Sequence, residues 1–242
     1  RPSQGRVPMV PSNEVWISQL GTEGPMARTV QDLARLLAIQ SGFDRNAPLS
    51  IAQDGQSFLA SLHLDPKEVA SIRIGWLGDF GGYLPMEAGI LDGCGLALKR
   101  LANQGCRIEP VTLGMEPDRI WRSWLVWRKL LVASRIAPFL LKAENRRHIK
   151  PEALWEYDQA QGVTGAEFMT ASTTRTVLYQ RMLTLFEDHD VLALPTAQVW
   201  PFEVNVRWPR QIGGVPMDTY HRWMEVVIYA TLAGLPCISV PA

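Results

Sequence analysis

Two short β-rich runs, Ile72–Leu77 and Cys106–Val111, bracket a helical pattern between Met86 and Asn103. The first run alternates at period two, as a strand does. Between them, Ile90, Leu91, Cys94, Leu98 and Leu101 recur on one side of a helix, and Gly105 closes it. Strand, helix and strand within so short a span imply a parallel pair joined by a right-handed crossover. That requirement puts the chain in the α/β class.

The remaining segments are read around this unit. Residues 1–23 are rich in proline and glycine and read as loop, with a short extended piece at Val15-Trp16-Ile17. Gly24-Pro25 is a turn, Thr29 an N-cap, and Asp32 a first-turn acid three residues on. Val30, Leu33, Ala34, Leu36 and Leu37 follow at helical spacing, which reads as a core helix ended by Ser41-Gly42. Residues 56–63 suit a helix turn or two, stopped near Asp65-Pro66. A long helix opens at Glu116-Pro117-Asp118 and bends or ends at Pro138. A short one runs from Pro151 to Tyr157, and a capping box at Thr164/Glu167 starts another that reaches about His189. Asp190–Leu194 reads as a buried strand, Thr219–Leu232 as a helix stopped by Gly234, and Cys237–Val240 as a last buried strand.

Composition excludes several classes. Twenty-four basic and 24 acidic residues balance, so net charge gives no reason to expect a nucleic-acid or membrane partner. No apolar run reaches the ~18–20 residues of a membrane span. Cys94, Cys106 and Cys237 are few, odd in number and scattered, which suits free thiols in a reducing, cytoplasmic compartment. Neither they nor His63, His148, His189 and His221 have zinc-site spacing. No signal peptide is visible.

Four ordered segments carry a more specific message: Arg1-Pro2-Ser3-Gln4-Gly5-Arg6-Val7-Pro8, Gly24–Asp32 (GPMARTVQD), Asp190–Thr196 (DVLALPT) and Ala233–Pro241 (AGLPCISVP). Together they resemble the amidase signature family of serine amidohydrolases. The resemblance implies a layered α/β/α fold with a mixed central sheet, of which this chain supplies some strands. It implies hydrolysis of a carboxylic amide through an acyl-enzyme on a serine, without metal or organic cofactor. The family's Gly/Ser-rich signature precedes the segment at Arg1, so its nucleophilic serine, cis-serine and lysine are expected before residue 1. No catalytic residue is assigned within the chain. Both ends read as cut from a longer protein, and residues 1–242 as one α/β unit carrying a helical substrate-pocket insert at roughly 116–189. A glutaminase subunit of a tRNA-dependent amidotransferase, and a non-catalytic binding or scaffold protein, are the alternatives. The partners expected are a small-molecule amide and, as an option, a second copy of the chain.

Substitute chemistry within the chain finds little support. No Gly-x-Ser-x-Gly elbow occurs. Ser3 and Ser239 lie beside motifs but have no base at catalytic spacing. Asp218 and His221, three apart at a helix start, read as a solvated surface pair. Arg28 and Asp32 read as structural support beneath the signature loop. On the long helix Ile120, Trp124, Trp127 and Leu131 share a face bordered by Trp121. That arc fits a core-packed helix; the sharper alternative is that Trp124 and Trp127 line an acyl or aryl pocket. Met169, Trp200 and Trp223 are weaker pocket candidates. Thr196 follows Pro195 at a strand end, where α/β proteins place ligands. Between residues 119 and 150 nine Lys/Arg face a single acid, Glu144. A solvated or acid-paired face accounts for them more simply than a nucleic-acid surface.

Overall fold

The computed structural model describes residues 1–10, 12, 14–60, 62 and 64–242. The expected crossover is present. Strand β1 (Arg73–Trp76) pairs in parallel with β2 (Arg107–Pro110), with Ile74 opposite Ile108, and α4 (Ile90–Asn103) connects them. On its other edge β1 pairs in parallel with β3 (Val191–Ala193), giving the order β2-β1-β3. The antiparallel pairing is a separate two-residue ribbon, β4 (Gln211–Ile212) with β5 (Val215–Pro216). Gly75 sits mid-way along the central strand. A Cβ there would come 2.8 Å from Leu192 Cδ2 and 3.1 Å from Val111 Cγ2. Gly75→Val is therefore expected to destabilise by about 1–3 kcal/mol through overpacking, and an unchanged urea midpoint would refute this.

Helices before the sheet are α1 (Val30–Gln40), α2 (Ser57–Ala60) and α3 (Pro66–Ser71). After β2 come α5 (Pro117–Leu140), a 3-10 turn at Ala143–His148, α6 (Pro151–Ala160) and α7 (Gly165–Asp188). A second 3-10 segment, Arg222–Val227, leads into α8 (Ile228–Ala233). The main core lies between α5, α7 and α8 and the loops after β1 and β2. Ile120, Trp121, Trp124 and Trp127 bury one arc of α5 against Leu178 and Met182 of α7 and Tyr229 and Leu232 of α8. Three of the basic residues of 119–150 pair with acids outside that stretch: Arg122 with Asp118, Arg128 with Glu156, Arg146 with Asp158.

Several expectations are corrected. Helix α1 forms behind its Thr29 cap, yet it buries only Ala34 and Ala38, while Val30, Leu36 and Ile39 are exposed. Its apolar stripe borders a surface groove and not the core. The Val15–Ile17 piece is a turn, because the Glu14 carboxylate accepts the N–H groups of Trp16, Ile17 and Ser18 at 2.6–2.8 Å and diverts them from any ladder. Asp65 does not stop a helix but caps α3 in a capping box with Glu68; Ser61 and His63 of the expected 56–63 helix lie outside the described residues. Residues 219–232 are not one helix: a 3-10 segment, Arg222–Val227, kinked at Met224, precedes α8. Cys237–Val240 is extended but is no buried strand: Arg1 and Cys237 exchange one reciprocal pair of backbone hydrogen bonds at 2.9 Å, and Ile238 and Val240 are exposed. Val191 of β3 is also exposed.

Candidate substrate site

The four ordered segments meet on one face of the molecule, and the meeting point is the C-terminal end of α8. Carbonyls at and just past that end are taken by two guanidinium groups. Arg1 donates to Leu235 O at 2.8 Å and to Thr231 O at 3.4 Å, and Arg175 donates to Leu232 O at 2.7 Å. Gly234 closes the helix with φ +76°, a left-handed position that glycine adopts without penalty. The chain then runs extended from Pro236 alongside Arg1-Pro2-Ser3. The Gly24-Pro25 turn packs onto the same strand of chain, so closely that a Cβ at Gly24 would lie 2.6 Å from Pro2 Cδ. Thr196 joins them through Ser239, whose Oγ donates to Thr196 Oγ1 at 3.2 Å.

Between the first, second and last of these segments lies a groove of about 750 Å³. Its walls are apolar, with Val30, Leu33 and Phe58 on one side and Ile238 and Val240 on the other. Arg1, Arg6 and Arg28 also line it, with no acid among the lining residues, so the groove is electropositive. Arg28 is thus at the groove wall, whereas Asp32 turns away to Thr29 Oγ1 at 2.9 Å and Arg35 at 3.2 Å. The hydroxyl of Ser239 meets a hydroxyl and not a general base.

A second, smaller cavity of about 230 Å³ lies behind Arg1. Trp124 lines it, and its ring is also part of the core. Trp127 does not line it: its ring packs on Phe168 at 4.7 Å and under the Arg175 guanidinium at 4.8 Å. Met169 is 63% exposed on α7 and borders neither cavity. Trp200 is exposed, its Nε1 donating to Ala88 O.

His221 overturns the surface-pair expectation. It is fully buried, and its Nε2 lies 2.8 Å from Glu156 Oε1, which also accepts from Arg128 Nε at 2.7 Å. Asp218 instead faces Arg222 at 3.8 Å. The 3-10 geometry at residue 222 turns His221 inward, among Trp124, Trp155 and Tyr220.

A buried polar cluster at the carboxyl end of the sheet escaped the sequence reading. Glu225 receives Arg222 Nη1 at 2.9 Å and Tyr229 OH at 3.4 Å, and Arg222 also reaches Tyr83 OH at 3.4 Å. Burial is the main cause that pushes the Glu225 carboxyl up to about 7, against the pull of Arg222. Burial likewise raises Tyr83 and Tyr229. Beside them buried Gln198 donates to Pro85 O and accepts from Val226 N, tying the loop after β3 to the loop after β1 and to the 3-10 segment before α8. The only sequence signal was the spacing of Arg222, Glu225 and Tyr229 on one helical face. Among the described residues no group of three His, Cys, Asp or Glu is placed to hold a metal, and no helix is long and apolar enough to cross a membrane.

A sequence model of the Amidase family matches residues 1–242. The chain belongs to the amidase family. It is 29% identical over 223 residues to an acylamidase of Rhodococcus erythropolis, covering 90% of this chain and 45% of that protein. It is 24% identical over 255 residues to a glutamyl-tRNA(Gln) amidotransferase subunit of Pseudomonas aeruginosa, covering 94% and 49%. Among solved structures, a bacterial aryl acylamidase of the amidase signature family shares the fold, with TM-score 0.78, 22% identity, and coverage of 97% of this chain and 49% of that one. The corresponding glutamyl-tRNA(Gln) amidotransferase subunit of Thermotoga maritima does so with TM-score 0.66 and 22% identity, over 97% and 48%. This amidase-family chain spans about half the length of the curated relatives it matches.

Proposed function

We propose that the protein hydrolyses a carboxylic amide to the acid and ammonia or an amine, and that residues 1–242 supply scaffold and substrate pocket for that reaction. Three of the family segments line one apolar, arginine-bordered groove, and the fourth reaches it through the Thr196–Ser239 hydrogen bond; that convergence is the observation that carries this reading. In the proposed reaction a serine oxygen attacks the amide carbon, the C–N bond breaks, the amine leaves with a proton, and water cleaves the resulting ester. The nucleophile and its base are not among residues 1–242 in this reading. Among the described residues, the Ser239–Thr196 hydroxyl pair beside the groove has no base in hydrogen-bond contact to activate it. Arg28 and Asp32 act as supports, Thr196 and Trp124 as neighbours of the substrate, and helices α5–α7 as the pocket-forming insert.

The test is direct. Purified residues 1–242 are expected to release no product from an aryl or alkyl amide, while the same chain joined to a family signature segment is expected to do so. Turnover by residues 1–242 above a mock purification would sink the proposed division of labour. The alternative reading, as one component of an amidotransferase, has one observation in its favour: the Pseudomonas aeruginosa match covers 94% of this chain. The apolar lining beside Trp124 disfavours a glutamine-sized polar substrate there, and copurification with partner proteins of such an assembly would reverse the preference.

A further inference from the structure

The loops that leave β1 and β2 bound a further cavity, of about 520 Å³, between the start of α5 and the middle of α7. The two strands are parallel, so both loops issue from the carboxyl end of the sheet, where α/β folds hold their ligands. The cavity shares no lining residue with the arginine-bordered groove. Its floor is apolar: Leu113 belongs to the main core, and Phe80 and Val111 pack against it. Phe80 is held at φ +56°, a costly backbone for a residue with a side chain, and its ring stacks on Tyr229 with centroids 4.1 Å apart. That wall is therefore set by the core behind it.

The rim is charged. Arg119 of α5 and Arg181 of α7 both line the cavity and both are exposed. Among the described residues neither guanidinium has an ion pair or a hydrogen bond. Other arginines of the same helices do find partners: Arg122 with Asp118, Arg128 with Glu156, and Arg175 with Leu232 O. Arg181 lies across Gly114, whose φ is +66° and whose missing Cβ would sit 3.9 Å from Arg181 Cζ and Nη1. On either side of Gly114, the N–H groups of Thr112 to Glu116 donate to no described acceptor, and a backbone N–H is an obligatory donor. Glu116 is the one acid among the lining residues, exposed and without an ion pair, so two arginines stand against one carboxylate. A single excess positive charge suits a monoanion. Guanidinium forks match a carboxylate with two parallel hydrogen bonds. The apolar floor, and a volume in the range of small-molecule sites, suit an organic body behind that carboxylate.

We infer that this cavity binds a small organic monocarboxylate, with its carboxylate held by Arg119 and Arg181 and its apolar body on Phe80, Val111 and Leu113. Such an acid is of the class that the amide hydrolysis proposed above releases, but binding itself does not depend on that reading. The test uses 4-fluorophenylacetate as probe, followed by fluorine NMR on the intact protein, with 2-(4-fluorophenyl)ethanol as the uncharged control. Saturable binding of the acid is expected, tighter than the alcohol by about tenfold or more. Arg119→Gln and Arg181→Gln are each expected to weaken it about tenfold, the scale of one hydrogen bond to a charged group. Neither substitution breaks a hydrogen bond or ion pair of the fold, so both variants are expected to keep the parent melting temperature. Glu116→Gln removes the opposing charge and is expected to tighten binding about threefold, the scale of one exposed charge interaction. No saturable binding, equal binding of acid and alcohol, or an affinity untouched by both arginine variants would each overturn the assignment. So would a loss seen in Arg28→Gln and not in Arg181→Gln, which would move the binding to the groove. Displacement of the acid by equimolar inorganic phosphate would also overturn it, leaving only a general anion contact. Acid binding without amide turnover would leave the site standing and remove the hydrolase reading. Amide turnover without acid binding would do the reverse.

Discussion

Trp124→Ala is expected to lower stability by about 3–5 kcal/mol, the range for truncating a buried aromatic to alanine. The ring is buried on the inner arc of α5, stacked on Trp121 with centroids 5.3 Å apart and meeting His221 edge-on. Removing it enlarges the adjoining cavity and strips one wall from the buried His221–Glu156 pair. A loss of that size is a large share of a typical folding margin of about 5–15 kcal/mol. For a chain of this length it should appear as a melting-point drop of roughly 10 °C. Trp124→Phe retains most of the apolar contact and should recover more than half of the loss. A melting point unmoved in Trp124→Ala would mean that the tryptophan arc of α5 is a lining and not a core.

Stability should fall as pH rises from about 4.5 to 7, through the ionisation of Glu225. Burial raises its carboxyl from 4.5 to about 7 in the folded chain. A group whose folded pKa lies above its unfolded value contributes stability that is complete below the unfolded pKa. That contribution is lost as pH rises through the folded pKa. The shift corresponds to a difference on the order of 3 kcal/mol between pH 4 and pH 8. The groups facing it are Arg222, Tyr83 and Tyr229, of which Arg222 opposes the effect and burial outweighs it. Asp190, held down to about 2 by Arg73, titrates below this window and in the opposite sense. Urea unfolding at pH 5 and pH 8 should therefore show a slope in the parent chain that Glu225→Gln removes. Equal slopes in the two proteins would contradict the assignment.

What could be read from residue order was what is local. Thr29 and Thr164 cap their helices as written, because the cap and its N–H partners lie within three residues. The β1-α4-β2 unit was legible because period two and period 3.6 are properties of contiguous stretches. The tryptophan arc of α5 was legible for the same reason. His221 was not, since its partner Glu156 is 65 positions earlier in the sequence on another helix. The stripe on α1 was misjudged as core because periodicity reports which side is apolar, not what covers it. Cys237–Val240 had strand composition, but a strand also needs a neighbour, and Arg1 offers it a single paired residue. Family membership came through the ordered motifs, and the geometry explains two of their glycines, Gly24 by close approach and Gly234 by its left-handed backbone.

The shallow seating of α1 has a mechanical consequence. One wall of the groove is a helix anchored by two alanines, whereas the facing wall issues from α8, whose end is tied down by Arg1 and Arg175. Local opening draws first on segments with few buried apolar contacts. Excursions that widen the groove are thus expected at α1 and not at the anchored end of α8. A displacement of α1 would change the girth of the groove without disturbing the tryptophan core behind it.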